Sequence, residues 1–527
     1  MENNDAAAQV FRLAPPRKKG LLSLVFSRFF IIGLLLILQL ALYLGVVFWM
    51  REYMTHFVAV QAAFTMIMLI YLFNNRMDST AKLTWMFIIS VVPMFGALML
   101  LFTQANLGHR AITRRTQEMI NATRTAIAQP EGVLEELSTD GQATDDLVRY
   151  LNRSGCFPAF AGSEVSYFPL GEHKFEAMLE ELRKAEKYIF MEYFIIEEGY
   201  MWGKILEILI EKARAGVDVR VMYDGMCEMS TLPPGYSEML KKHGVKSKAF
   251  AKIMPILSSH YNYRDHRKIL VIDGKVAFNG GVNLADEYIN RKERFGHWKD
   301  TAVMIKGDAA KSFALMFLQM WNVSETEHED LQQYLDDGGY IPDQPGGYVI
   351  PFCDCPLDED KVGEAVYMDI LNRASTYVHV MTPYLILDGE LENALRYAAQ
   401  RGVDVSLILP GIPDKKAAYS LAKSHYASLL DAGVKIYEYT PGFVHAKVFV
   451  SDDAKAVVGT INLDYRSLYH HFECATYMYK TDCIKDIETD FQDTVSKCRE
   501  VTRETIRNEA FGYKLCGALM KFIAPLM

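Results

Sequence analysis

The residues best equipped for chemistry fall in one pattern that the chain uses twice. His266, Arg267 and Lys268 are followed by four residues, Asp273, six more and Gly280-Gly281-Val282-Asn283. About 180 residues on, His445, Ala446 and Lys447 are followed by four residues, Asp452, six more and Gly459-Thr460-Ile461-Asn462. Each copy supplies an imidazole, an ammonium and an amide. An imidazole that is neutral near pH 7 can attack an electrophile or carry a proton. An ammonium and an amide can hold oxyanions while charge builds on them. Phosphoryl transfer requires these groups, and two copies in one chain predict one composite site with a pair of histidines. Two histidines could instead bind a metal, but a lysine two residues from each argues against it.

The spacing dictates how these groups are presented. His266 and Lys268 begin the β-like run HRKILVID, and His445 and Lys447 the run HAKVFVSD. Residues two apart in a strand share a face. A turn follows, Asp273-Gly274 or Asp452-Asp453, and then a second strand that ends at Asn283 or Asn462. The predicted hairpins therefore return each asparagine to the His/Lys end, and Gly280, Gly281 and Gly459 suit close approach of backbone to a ligand. Asp273 and Asp452 belong to the motif but fall at the far turn, roughly 16 Å beyond the lysines at strand rise. Their expected role is structural.

The duplication extends upstream of the motifs. Residues 187–199 and 376–389 are strand-like, each is followed by a helix, amphipathic in the first case, and each helix leads into a second strand-like segment, 213–225 or 399–411. Gly216 matches Gly402 and Asp218 matches Asp404. Such strand–helix–strand units predict parallel pairing through a crossover helix. The expected fold is α/β, with two pseudo-twofold-related, sheet-centred lobes over 111–340 and 341–527 whose motifs meet in a shared cleft.

At 527 residues, half of them apolar, the chain is long enough for two such units and a membrane region. After a basic tail over residues 1–28, the region 29–110 holds three apolar candidates for membrane spans, 29–50, 57–73 and 83–103. Seven basic residues on one side of these spans and five on the other weakly favour a cytoplasmic N-terminus. Three spans then place the motifs outside; one segment lying in the interface instead would place them inside. The net charge of −9 argues against a general nucleic-acid binder. Eight scattered cysteines show no CxxC spacing, and Cys353-Asp354-Cys355 has the character of a loop.

Both motifs resemble those of the phospholipase D superfamily. Over nearly the whole chain the resemblance is to bacterial cardiolipin synthases. It is carried by NYRDHRK at the first histidine, MTPYLI (381–386), residues 401–416, GTINLDYRSLYHHFE (459–473), the span with Trp85, Pro93 and Gly96, and the apolar C-terminal ending. Gly281 departs from it, standing where serine is usual, as do Cys353 and Cys355. The resemblance implies a membrane-embedded phosphatidyltransferase of the bacterial cell membrane, multi-pass, that makes cardiolipin and glycerol from two molecules of phosphatidylglycerol. It implies His266 as nucleophile, His445 as acid and base, and Lys268, Lys447, Asn283 and Asn462 on the phosphate. Asp300 and Glu473 are the implied carboxylates that orient the histidines. No metal or other cofactor is implied, and no nucleic-acid partner. A hydrolytic phospholipase D would share every one of these residues. A nuclease of the superfamily or a non-enzymatic scaffold fits less well. His470 and His471 are expected to be packing or surface residues, and Asp358-Glu359-Asp360 a solvated loop. Met222, Met226 and Met229 are expected to fill core and lipid-proximal surface. Pro255, Ile256 and Leu257 could enter lipid or form a buried loop, and the C-terminal stretch 513–527 could lie on a bilayer or in a core.

Overall fold

The computed structural model describes residues 11–13, 37, 40, 41, 44, 45, 48, 51–104, 110–251, 263–325, 329–335, 346–358 and 360–526. Most of the basic tail and of the expected span 29–50, the segment Pro255-Ile256-Leu257, and Glu359 lie outside the described residues. The chain forms two compact units. One comprises Met1–Arg17, Ile112–Lys252 and Asn262–Ala518, and the other Lys18–Ala111, Ile253–Tyr261 and Leu519–Met527.

Two large sheets organise the first unit. In the seven-stranded sheet the order is Glu164–Phe168, Ala302–Lys306, Val276–Gly280, Lys268–Ile272, Tyr188–Tyr193, Asp218–Asp224 and Lys246–Phe250. The ten-stranded sheet contains a run of seven strands in the corresponding order: Tyr348–Asp354, His471–Tyr479, Lys455–Gly459, Val448–Ser451, Tyr377–Met381, Asp404–Pro410 and Lys435–Tyr439. The duplication legible in the sequence is thus also one of strand order. Central strands such as Lys268–Ile272 and Lys455–Gly459 are buried along their whole length, as continuous apolar runs covered on both faces should be.

The two signals that predicted elements are both realised. Tyr188–Tyr193 pairs in parallel with Asp218–Asp224 through the helix Tyr200–Arg214, and Tyr377–Met381 with Asp404–Pro410 through Gly389–Gln400. Gly216 and Gly402 follow these helices at φ +94° and +96°, a conformation that a side chain disfavours. Each motif strand forms an antiparallel hairpin with the strand after it.

Asp273 and Asp452 turn these hairpins in the left-handed region, at φ 54° and 53°. The Asp273 carboxylate accepts backbone N–H bonds from Glu186, Lys187 and Tyr188, all at 2.8 Å. Asp452 accepts them from Ser375, Thr376 and Tyr377 at 2.8–2.9 Å. Each aspartate therefore staples its hairpin to the start of the neighbouring strand.

In the second unit, Met54–Asn74 covers the expected span 57–73 and is the one helix among the described residues long and apolar enough to cross a membrane. Its 21 residues extend about 32 Å. The expected continuous span over 83–103 is not formed. The segment divides into Ser79–Val91 and Pro93–Gln104, each shorter than a bilayer core. Pro93 lacks an N–H and pushes Val92 out of helical geometry, to φ −136° and ψ 73°. Gly96 then allows the second helix to meet the first closely, since a Cβ there would lie 2.9 Å from the Ile89 side chain. Leu72, Trp85, Ile89 and Leu100 form the small core of this unit. The C-terminal helix Phe511–Ile523 leaves Phe511, Leu515 and Leu519 exposed, so it is not a core helix.

Asp273→Asn replaces an acceptor oxygen by a donor facing a backbone N–H. It is expected to destabilise the first unit by about 1–3 kcal/mol, read by thermal unfolding, while the folded fraction keeps most of its turnover.

Candidate active site

The two motifs are joined by backbone bonds that cross between the halves of the chain. Arg264–Asp265 runs parallel beside the start of His471–Tyr479, and the His266 N–H donates to Phe472 O at 3.0 Å. In the mirror arrangement, Gly442–Val444 runs parallel beside His297–Lys299, and the His445 N–H donates to Lys299 O at 2.7 Å. In each case the residue after the acceptor is a carboxylate. Glu473 lies with both oxygens 2.9 Å from His266 Nδ1, and Asp300 Oδ2 lies 2.6 Å from His445 Nδ1. Each histidine therefore meets the carboxylate supplied by the other half. With Nδ1–H donating to a carboxylate, Nε2 carries the free lone pair.

The lysines project on the same strand face as the histidines. Lys268 Nζ donates to His266 O at 2.5 Å, and Lys447 Nζ donates to His445 O. Strand alternation sends Arg267 to the other face, where it pairs with Glu192 and Asp265. Asn283 and Asn462 return to the His/Lys end but differ in their bonding. Asn283 Oδ1 accepts from Ile195 N at 3.0 Å and its Nδ2 donates to Tyr288 OH at 2.8 Å. Asn462 Oδ1 is buried without a partner among the described residues. Asp273 and Asp452 are not brought to this site; they remain at the far turns.

The departure at Gly281 has a steric cause. A Cβ there would lie 2.1 Å from Asp300 Oδ1, so no serine fits while Asp300 holds His445. At the matching position, the Thr460 hydroxyl donates to Glu473 Oε2 and accepts from Cys474 N at 3.0 Å. This position supports the carboxylate: the threonine binds the longer glutamate, and the glycine makes room for the aspartate.

Two neighbours escape the motif reading. His471 is buried, not a surface residue, with Nδ1 3.6 Å from Glu473 Oε1 and its ring 5.3 Å from that of His266. Neither of its ring nitrogens has a hydrogen-bond partner among the described residues. Its position two residues before Glu473, on one face of one strand, was the available signal. His470 instead follows the helix Tyr465–Tyr469 as its C-cap. Lys174, from the helix Gly171–Lys184, is fully buried and donates to Val282 O at 3.2 Å beside Asn283. Among the described residues, His266, His471 and Glu473 form a group able to offer three ligand atoms to a metal ion.

Burial sets the protonation of the site. It pushes His445 down to about 4, with the Lys447 charge adding to the effect, and holds His266 well below its ordinary value. Burial also lowers Lys268 to about 8 and Lys447 to about 7, the latter further lowered by Lys268. For Glu473 burial works in the opposite direction, yet His266 keeps it below the usual carboxylate range. The site thus holds neutral imidazoles between two closely placed cations, an arrangement suited to an anionic ligand. Sulfate affinity is expected to fall by up to about tenfold per pH unit for each lysine that must be charged, as pH rises through about 7 and 8 and Lys447 and Lys268 discharge. Calorimetric titration of the wild type and of Lys447→Met checks this, since pH-independent affinity would remove these lysines from the anion site.

The chain matches the family described as "Cardiolipin synthase, PLD-like domain" over residues 178–321 and 367–495. An uncharacterized protein of Streptococcus mutans is 56% identical over 87% of this chain and 99% of its own length. A cardiolipin synthase of Alkalihalophilus pseudofirmus is 32% identical over 87% of this chain and 91% of its own. The crystal structure of phosphatidylserine synthase from Haemophilus influenzae Rd KW20 shares the fold, with a TM-score of 0.53 and 15% identity over 73% of this chain and 97% of that one. The chain belongs to the cardiolipin synthase family, phosphatidyltransferases built on phospholipase D-like domains.

Proposed function

We propose that this enzyme transfers a phosphatidyl group from one phosphatidylglycerol to a terminal glycerol hydroxyl of another, through a phosphatidyl-histidine, releasing cardiolipin and glycerol. The observation that carries this reading is the crossed pair of buried histidine–carboxylate contacts, each with a buried lysine beside it. His266, held by both oxygens of Glu473, attacks phosphorus through Nε2. The bond from phosphorus to the headgroup glycerol breaks, and His445, as an imidazolium braced by Asp300, gives that alkoxide a proton. The negative charge of the entering phosphodiester favours that imidazolium. In the second half-reaction His445 takes the proton of the incoming hydroxyl, the new P–O bond forms and His266 leaves. Lys268, Lys447 and Asn462 hold the non-bridging oxygens, while Asn283 fixes the backbone at Ile195.

The two sheets, on this reading, are the two phospholipase D-like lobes of a duplicated unit, related by a pseudo-twofold axis and divided near residue 340. The apolar segments over 29–103 hold the enzyme in the bacterial cell membrane as a multi-pass protein, with Met54–Asn74 as one span, where both lipid substrates reside.

Purified full-length protein in detergent micelles with labelled phosphatidylglycerol, free of divalent metal, should yield cardiolipin and glycerol. His266→Ala abolishes product, and His445→Ala lowers turnover by about 10²–10⁴-fold while leaving a trappable phosphorylated His266. Phosphatidic acid as the sole product would make the enzyme a hydrolase and overturn the proposal.

A further inference from the structure

Glu473 serves more than His266. Its carboxylate is also reached by the Thr460 hydroxyl and approached by His471. His471 has no step in the proposed reaction, and it lies on the Nδ1 side of His266, away from the attacking nitrogen. Its burial without hydrogen bonds is costly, since an imidazole nitrogen taken from water needs a partner. One nitrogen of a neutral imidazole offers a lone pair, which a metal ion can accept.

We propose that His266, His471 and Glu473 form an inhibitory site for a divalent transition metal of the zinc type. The three side chains are buried, and their ligand atoms lie within 4.8 Å of one another. Tetrahedral zinc at about 2.0–2.1 Å from nitrogen and oxygen places its ligands roughly 3.3 Å apart. Two of the three edges already approach that value, 2.9 Å between His266 Nδ1 and Glu473 Oε1 and 3.6 Å between His471 Nδ1 and the same oxygen. Only the histidine–histidine edge has to close. Two imidazoles and one carboxylate favour zinc or cobalt over magnesium or calcium, which take oxygen ligands.

Binding at His266 Nδ1 selects the other neutral tautomer: the ring proton leaves Nδ1 for Nε2, and the Nδ1 lone pair goes to the metal ion. His471 donates the Nδ1 lone pair of its Nε2–H tautomer, no net proton is released, and nothing is oxidised or reduced. The consequence is a switch on the nucleophile itself. Metallated His266 carries its proton on Nε2, so that nitrogen has no lone pair with which to attack phosphorus. This consequence rests on His266 as the attacking imidazole; metal binding does not.

The test uses full-length protein in detergent micelles, titrated with cobalt(II) and followed by visible absorption, alongside the cardiolipin assay with zinc added. A stoichiometric tetrahedral cobalt spectrum, displaced by zinc, and a loss of activity that chelator restores are the expected results. His471→Asn should keep its metal-free turnover, lose the cobalt spectrum and become at least about 100-fold less sensitive to zinc; His471→Gln provides a second variant. A cobalt spectrum in the wild type without cardiolipin formation would uphold the metal site and count against the proposed reaction. A wild-type spectrum no different from aqueous cobalt, or zinc inhibition unchanged in a folded His471 variant, overturns the site.

Discussion

His266 and His445 are buried imidazoles, and each is held through Nδ1 by a carboxylate from the other half of the chain. A backbone bond sets each contact: His266 N–H on Phe472 O brings Glu473 into place, and His445 N–H on Lys299 O brings Asp300. The parallel pairings of Arg264–Asp265 and Gly442–Val444 extend these bonds into short ladders. The sheets therefore set the position from which each histidine reaches its carboxylate, and the Nδ1 contact holds the ring there. Preorganisation of this kind removes the reorganisation that the same groups would undergo in water.

The electrostatic arrangement follows from that confinement. Lys268 and Lys447 each bond the carbonyl of the histidine in their own motif, so the sheets that align the imidazoles also hold the ammoniums close. Burial weakens their hold on protons, and the charge of Lys268 weakens that of Lys447 further. Buried cations so placed favour an anionic ligand. The halves are not equivalent around it. Glutamate with threonine supports one histidine and aspartate with glycine the other, and Asn462, unlike Asn283, has an amide oxygen without a partner among the described residues. The proposed reaction, which gives its histidines different tasks, has use for such asymmetry.

Much of this was legible from residue spacing. Alternation put His266 and Lys268 on one strand face, the turn residues marked the hairpins, and distance along the strand removed Asp273 and Asp452 to the far end. The contacts that cross the chain were not legible, since no local pattern says that Glu473 faces His266 across 207 residues. Sequence left His471 as a packing or surface residue, because a buried histidine and a surface histidine look alike there, although its spacing from Glu473 placed it on the same face. The steric exclusion at Gly281 required the position of Asp300. Pro93 was visible in the expected span over 83–103, but apolar composition outweighed it; the missing N–H prevailed in the fold.

The exchange of carboxylates has a consequence for the biosynthesis of the enzyme. A nascent chain that has emerged through its first motif carries a histidine without its orienting partner, and an aspartate whose histidine has yet to be made. Reactive chemistry therefore has to wait until the ribosome has passed residue 473. An interrupted translation product is then an inert fragment rather than half an enzyme.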